Sequence, residues 1–167
     1  EAAARLPDGF PSVRLANLMW LRQPASVDMY IDDVLQHARA IVIDHLGAAS
    51  DWAYVVEQVQ ALALRRGLWV AFFSGDNQPD EQLIRRSTAQ AADCDQLWRC
   101  LREGGADNAQ GFYALIAHAA LGLGQRPPPA QPLPAVLPYA PAQAAPQYAG
   151  APLALLLFYR AHAQSGN

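Results

Sequence analysis

The stretch Ala40-Ile-Val-Ile-Asp-His-Leu-Gly47 decides the fold, together with the residues after it as far as Gly75. Ile41, Val42 and Ile43 form a short apolar run of β-branched residues, the composition of a strand buried on both faces. A Gly47-Ala-Ala-Ser50 turn leads to Asp51, a good N-cap by type. Val55, Val56, Val59, Leu62 and Ala63 then lie on one helical stripe. Arg65 and Arg66 suit the negative end of that helix's dipole, and Gly67 stands where a left-handed closing residue is wanted. Leu68-Trp-Val-Ala-Phe-Phe-Ser74 is a second buried run. Strand, helix and strand within about 35 residues make a βαβ unit, whose parallel strands need a crossover of this size. The predicted class is α/β.

Outward from that unit, residues 1–11 read as a lead-in segment. Val13 to Leu18 alternates well enough to predict a strand. Ser26 is placed as a helix N-cap with Asp28 in the first turn, and Tyr30, Ile31, Val34, Leu35 and Ala38 form the buried stripe. That helix delivers the chain to the Ala40 strand, completing a second βαβ unit. Downstream, Gly75-Asp-Asn-Gln-Pro79 is turn chemistry. A helix is predicted from Asp80 to about Ala92 on Leu83 and Ile84. Another, Asp95 to Glu103, rests on Leu97, Trp98 and Leu101 and ends at Gly104-Gly105. Asp107 is read as the cap of the next, where Phe112, Leu115, Ile116 and Ala119 face inward until Gly122 to Gly124.

Nine of the 13 prolines fall between Pro127 and Pro152, so this stretch is neither helix nor central strand. Its composition allows a flexible linker, a polyproline connector or an ordered surface loop. Leu153-Ala-Leu-Leu-Leu-Phe158 reads as a last buried strand. It runs into Tyr159-Arg-Ala-His-Ala-Gln-Ser-Gly-Asn167 with no closing helix, the pattern of a piece of something longer. The expected division is an α/β domain over 1–126, a Pro/Ala-rich loop within it over 127–152, and the last strand and exit over 153–167.

Composition narrows the function. A chain of 167 residues with 52% apolar content can build one ordinary core. Net charge −3 with only 16% charged residues leaves no basic footprint for nucleic acid. All 12 basic residues are arginine. Without a lysine, neither a P-loop ATP site nor Schiff-base chemistry can be built here. Cys94 and Cys100 match neither a zinc pair nor a redox motif and are expected to be reduced and structural. No signal-peptide pattern opens the sequence and no apolar run approaches the ~20 residues of a membrane span, so a cytoplasmic location is expected.

In an open parallel sheet the ligand crevice lies at the carboxyl ends of the strands. That rule gathers Asn17, Asp44-His45, Ser74-Gly75-Asp76 and Arg160-His162. Asp44, His45, Asp76 and Asn77 are equally at home bonding their own turns, and Arg160 could equally pin the domain to a neighbour. His37 and His118 are expected at helix surfaces. The four histidines have no ligand-type spacing, so neither a metal site nor a catalytic residue is assigned. Cobalamin-binding flavodoxin-like domains use Asp-x-His-x-x-Gly after a strand. Here Asp44 and His45 are adjacent and Gly47 comes two residues later, so that motif fails.

A different resemblance spans nearly the full length. Pro11-Ser-Val-Arg-Leu-Ala-Asn-Leu18, Pro24-Ala-Ser-Val-Asp-Met-Tyr30, Asp33-Val-Leu35 and His37-Ala-Arg39 resemble the N-terminal region of cobaltochelatase large subunits. So do Leu101-Arg-Glu-Gly-Gly-Ala-Asp-Asn108, Phe158-Tyr-Arg-Ala-His162 and Gln164-Ser-Gly-Asn167. The resemblance implies an open, mostly parallel, flavodoxin-like sheet flanked by helices, its first strand missing from this fragment. It implies aerobic cobalamin biosynthesis, with Co2+ inserted as substrate into hydrogenobyrinic acid a,c-diamide. It implies that AAA+ ATPase and companion chelatase subunits use the ATP, with no cofactor bound to this segment and no nucleic-acid or membrane partner. Arg160, His162 and Asn167 become candidate contacts to the carboxylate-rich corrin, because an arginine fork matches a carboxylate bidentately. The related magnesium chelatase large subunit and a non-catalytic flavodoxin- or receiver-like module are the alternatives. A receiver normally works with a lysine that this chain lacks.

Overall fold

The structure, a computed structural model, describes Leu6, residues 9–45 and residues 52–132. The β-branched run forms strand β1 (Ala40–His45), and the second apolar run forms β2 (Trp69–Ser74). They pair in parallel, with Ala40 opposite Trp69 and His45 opposite Ser74. Helix α2 (Ala53–Arg66) makes the crossover between them. Its last turn carries Arg65 and Arg66, and Gly67 closes it in the left-handed region at φ 66°, a conformation that costs a side chain with a Cβ. The Leu68 amide then reaches back to the Ala63 carbonyl at 3.0 Å, and the chain turns directly into β2.

Side chains alternate across a strand, so each strand serves two layers. Ile41, Ile43, Val70 and Phe72 join a cluster with Val55, Val56, Val59 and Leu62 of α2 and with Val27 and Ile31 of α1 (Pro24–Asp33). Ala71 and Phe73 point the other way, with Val42 beside them. They meet Cys94, Leu97 and Trp98 of α4 (Ala91–Glu103) and Leu115 of α5 (Ala106–Leu121). Helices on both faces of a parallel pair make the fold α/β, as predicted. Each fully buried Val, Leu or Phe contributes roughly 1.5–3 kcal/mol by leaving water. Both cysteines are free and buried in α4, and burial pushes each thiol above its ordinary pKa.

Five local expectations are corrected. Val13–Leu18 is not a strand: residues 12–17 form no regular element, are exposed and have no sheet partner among the described residues. Alternation records an extended backbone, whereas a strand also needs a neighbour. Leu18–Leu21 is instead a 3-10 turn capped by the Asn17 side chain, which accepts from the Met19 amide at 2.9 Å. Ser26 is not the cap of α1, because Gln23 holds that position and Pro24 opens the helix, where its missing N–H costs nothing.

The helix predicted from Asp80 to Ala92 is also corrected. It stops after one turn, α3 (Glu81–Ile84), capped by the Asp80 carboxylate. The next residues close the outer edge of β2. Thr88 Oγ1 accepts from the Val70 amide at 2.7 Å and donates to the Leu68 carbonyl at 2.7 Å, while Ser87 Oγ accepts from the Phe72 amide at 2.9 Å. A continuous helix could not have offered those groups to the strand. Helix α4 begins at Ala91 rather than Asp95, and α5 is capped at Gly105 rather than Asp107. The predicted strand Leu153–Phe158 and most of the Pro/Ala-rich stretch lie outside the described residues. No described helix is long and apolar enough to cross a membrane.

Candidate functional site

Both strands deliver their carboxyl ends to one place, and α4 reaches over it. The Gly75 amide donates to the His45 carbonyl at 2.6 Å, extending the ladder one step past β2. Ser74 Oγ donates to Asp76 Oδ2 at 2.9 Å and accepts from the Asp76 amide at 3.1 Å, which fixes the turn. Residues four apart on a helix are neighbours, and two such residues of α4 complete the junction. Trp98 Nε1 donates to the Asp76 carbonyl at 3.2 Å. Arg102 donates one guanidinium nitrogen to Asp44 Oδ2 at 2.7 Å and another to the Gly75 carbonyl.

The Asp44–Arg102 pair is partly buried, with 29% and 23% of the two side chains exposed. Burial pushes the Asp44 carboxyl above its ordinary 3.8, and the Arg102 charge and hydrogen bond oppose that push. A guanidinium that spans a carboxylate and a backbone carbonyl fixes geometry more than it supplies a reactive group. Beyond its backbone carbonyl, His45 adds no hydrogen bond to the junction. Being next to Asp44 on a strand, it points to the opposite face, 1% exposed, with its ring 6.5 Å from that of Trp52. Neither of its ring nitrogens has a hydrogen-bond partner among the described residues.

A second polar assembly lies beyond the Gly104-Gly105 turn. Asn108 Nδ2 donates to the carbonyls of Gly104 at 2.7 Å and Gln131 at 2.8 Å, and its Oδ1 accepts from the Gln131 amide at 2.8 Å. Gln96 donates to the Pro128 carbonyl at 2.9 Å. Arg126 bridges Asp93 at 2.7 Å and Gln96 at 3.1 Å. The start of the proline-rich stretch, as far as Pro132, is therefore an ordered strap against α4 and α5. A shallow cavity of about 210 Å³ lies between the Gly104–Asn108 turn and Gln131-Pro132.

Of the residues gathered from sequence, Asp44, Ser74, Gly75 and Asp76 converge. His45 turns away, Asn17 caps its own turn, and Arg160, His162 and Asn167 lie outside the described residues. His37 is exposed in a 3-10 turn, and His118 contacts the Gly124 carbonyl at 3.3 Å. Sequence reasoning about strand ends missed Trp98 and Arg102, which arrive from a helix. The available signal was the string Leu101–Asn108, whose arginine, glycine pair and asparagine all hold the two assemblies. Among the described residues no three His, Cys, Asp or Glu are grouped to hold a metal ion.

Comparison with known proteins adds a lineage to this geometry. No family model matches the chain. The aerobic cobaltochelatase subunit CobN of Pseudomonas aeruginosa is 41% identical over 175 residues, covering 100% of this chain and 14% of that protein. The aerobic cobaltochelatase subunit CobN of Sinorhizobium sp. is 40% identical over 126 residues, covering 75% of this chain and 10% of that protein. Among solved structures, the catalytic subunit of cobaltochelatase from Mycobacterium tuberculosis superposes with a TM-score of 0.56 at 29% identity. That match covers 64% of this chain and 9% of the other.

Proposed function

The chain belongs to the aerobic cobaltochelatase CobN family, and from that premise we propose that it works as the N-terminal α/β domain of an ATP-dependent cobaltochelatase large subunit. The reaction would insert Co2+, as substrate, into hydrogenobyrinic acid a,c-diamide in cobalamin biosynthesis. The observation that carries this reading is 41% identity over 100% of the chain. ATP is used by AAA+ ATPase and companion subunits, in keeping with a chain whose 12 basic residues are all arginine. A cytoplasmic location accompanies that role.

The role of this domain within the subunit is to hold shape and present surfaces. Support comes from the strand ends, where Asp44, Arg102 and Gly75 engage one another and Ser74 engages Asp76. Corrin contact is assigned to Arg160, His162 and Asn167, where a guanidinium fork and a second donor suit a macrocycle carrying carboxylates. A charge-assisted contact is worth roughly 1.5–3 kcal/mol, so Arg160→Ala in the full-length subunit weakens corrin binding about tenfold or more at unchanged thermal stability. Unchanged affinity with a clear loss of stability assigns Arg160 to a domain contact instead.

The deciding experiment is metal insertion by the full-length subunit with its partner subunits and ATP, given Co2+ or Mg2+ and a corrin or a porphyrin. Cobalt entering the corrin is the expected result, and magnesium entering the porphyrin overturns it. The 167-residue chain alone is expected neither to hydrolyse ATP nor to insert cobalt.

A further inference from the structure

The segment before α1 is held at both ends and bare in the middle. Phe10 packs edge-on against Tyr113 of α5, ring centroids 6.3 Å apart. At the other end Leu18 and Leu21 pack onto the α1–α2 cluster. Between these anchors residues 12–17 are irregular and exposed, and residues 12–16 make no backbone–backbone hydrogen bond among the described residues. In a 3-10 turn, residues three apart share a side. Anchoring Leu18 and Leu21 therefore drives Met19 and Trp20 outward.

The result is a set of exposed apolar side chains on the segment before α1, on its 3-10 turn and on α1, which contacts that turn. Leu15 is 83% exposed, Trp20 76%, Met29 of α1 65% and Met19 55%. The other three tryptophans contrast with this: Trp52 and Trp98 are buried, and Trp69 is half-buried in β2. None of the four exposed side chains contributes to either core cluster. Tryptophan, methionine and arginine are the residue types enriched at protein interfaces. Arg14 and Arg22 flank the surface, and neither enters an ion pair among the described residues.

We propose that Leu15, Met19, Trp20 and Met29 form the surface on which a later domain of the same large-subunit polypeptide docks, with Arg14 and Arg22 meeting carboxylates at its rim. The proposal rests on the large-subunit reading. The occupant is inferred from length, because the chain matches only 14% of the Pseudomonas relative and most of that polypeptide lies outside the match. The Asn17 cap and the two partly buried leucines hold the surface in place beforehand, so little ordering entropy is lost on docking.

The test compares amide exchange at residues 12–20 in the 167-residue chain and in the full-length subunit. Exchange is expected to be at least roughly tenfold slower in the full-length subunit, and the protection to vanish there in Leu15→Ser/Trp20→Ser. The same double substitution should move the melting temperature of the 167-residue chain by less than about 2 °C, since it removes no core contact. Equal exchange in both proteins overturns the proposal. So does protection already present in the 167-residue chain, whether from its own C-terminal residues or, if it rises with concentration, from a second copy. Cobalt insertion is read separately in the unsubstituted subunit. Protection without insertion would retire the chelatase reading and leave the docking surface standing.

Discussion

On the α1–α2 side of the strand pair, Val27, Ile31, Ile41, Ile43, Val59 and Phe72 pack with no ion pair joining α1 to α2 among the described residues. At its rim the Tyr54 hydroxyl donates to Asp28 at 2.8 Å. The α4–α5 side buries fewer residues and surrounds them with directional contacts: Arg102 on Asp44, Trp98 on the Asp76 carbonyl, Arg126 on Asp93, and Asn108 on Gln131. Apolar burial is non-directional and tolerates small shifts of a helix. Hydrogen-bonded charges do not, so the second side fixes where α4 lies over the strand ends. One side supplies adhesion, and the other supplies position.

The largest expected effects test whether adhesion differs between the sides. Phe72 and Phe73 are both fully buried and point to opposite faces. Phe72→Ala and Phe73→Ala should each cost about 3–5 kcal/mol in urea unfolding. A Phe73→Ala cost below about 1.5 kcal/mol would mean that the polar latches carry the α4–α5 side. Next comes the strap. Asp93 is 6% exposed in its side chain and Arg126 44%, so Arg126→Ala leaves a carboxylate buried with its charge uncompensated. The half-exposed arginine reduces the usual penalty to about 1–3 kcal/mol, and adding Asp93→Asn should restore part of it.

A smaller loss is expected at the edge of β2. Thr88→Val removes the acceptor of the Val70 amide at nearly constant volume and should cost about 1–2 kcal/mol by the same measurement. Smallest is Asp44. Its pKa is raised, first by burial and against the pull of Arg102. A carboxyl raised in the folded state favours folding fully below its unfolded value of 3.8, and loses that contribution as pH rises through the folded value. Asp44→Asn stays neutral throughout. Its stability relative to the unsubstituted chain should therefore improve from about pH 3.5 to pH 7, by less than about 1 kcal/mol in thermal melts. A change in the opposite direction would make Arg102 the dominant influence on Asp44.

The central unit was legible because its signals are local. Ile41 to Ile43, the α2 stripe, Gly67 and the Leu68–Ser74 run each announce their element within a few residues. Failures came where local pattern and tertiary use diverge. Val13 and Leu15 alternate like a strand but have no sheet partner among the described residues, and Ser87 and Thr88 sit in a helical pattern yet bond a strand edge instead. The strand-end site was legible in Asp44, Ser74, Gly75 and Asp76. The strand rule could not supply Arg102, which is 58 positions from Asp44 and meets it only after α4 folds back. It also placed His45 beside Asp44 in sequence without registering that alternation separates them.

The Ser87–Thr88 closure of β2 also gives the sheet a direction of growth. Two hydroxyls occupy the margin where another extended backbone would attach, so that margin is finished. Among the described residues, the margin left for an added strand is that of β1. Edge-to-edge polymerisation needs two receptive margins on every copy, one to accept and one to be accepted. With one margin occupied from within, two copies that met β1 to β1 would terminate each other, and the series would end at a pair instead of running on as a filament.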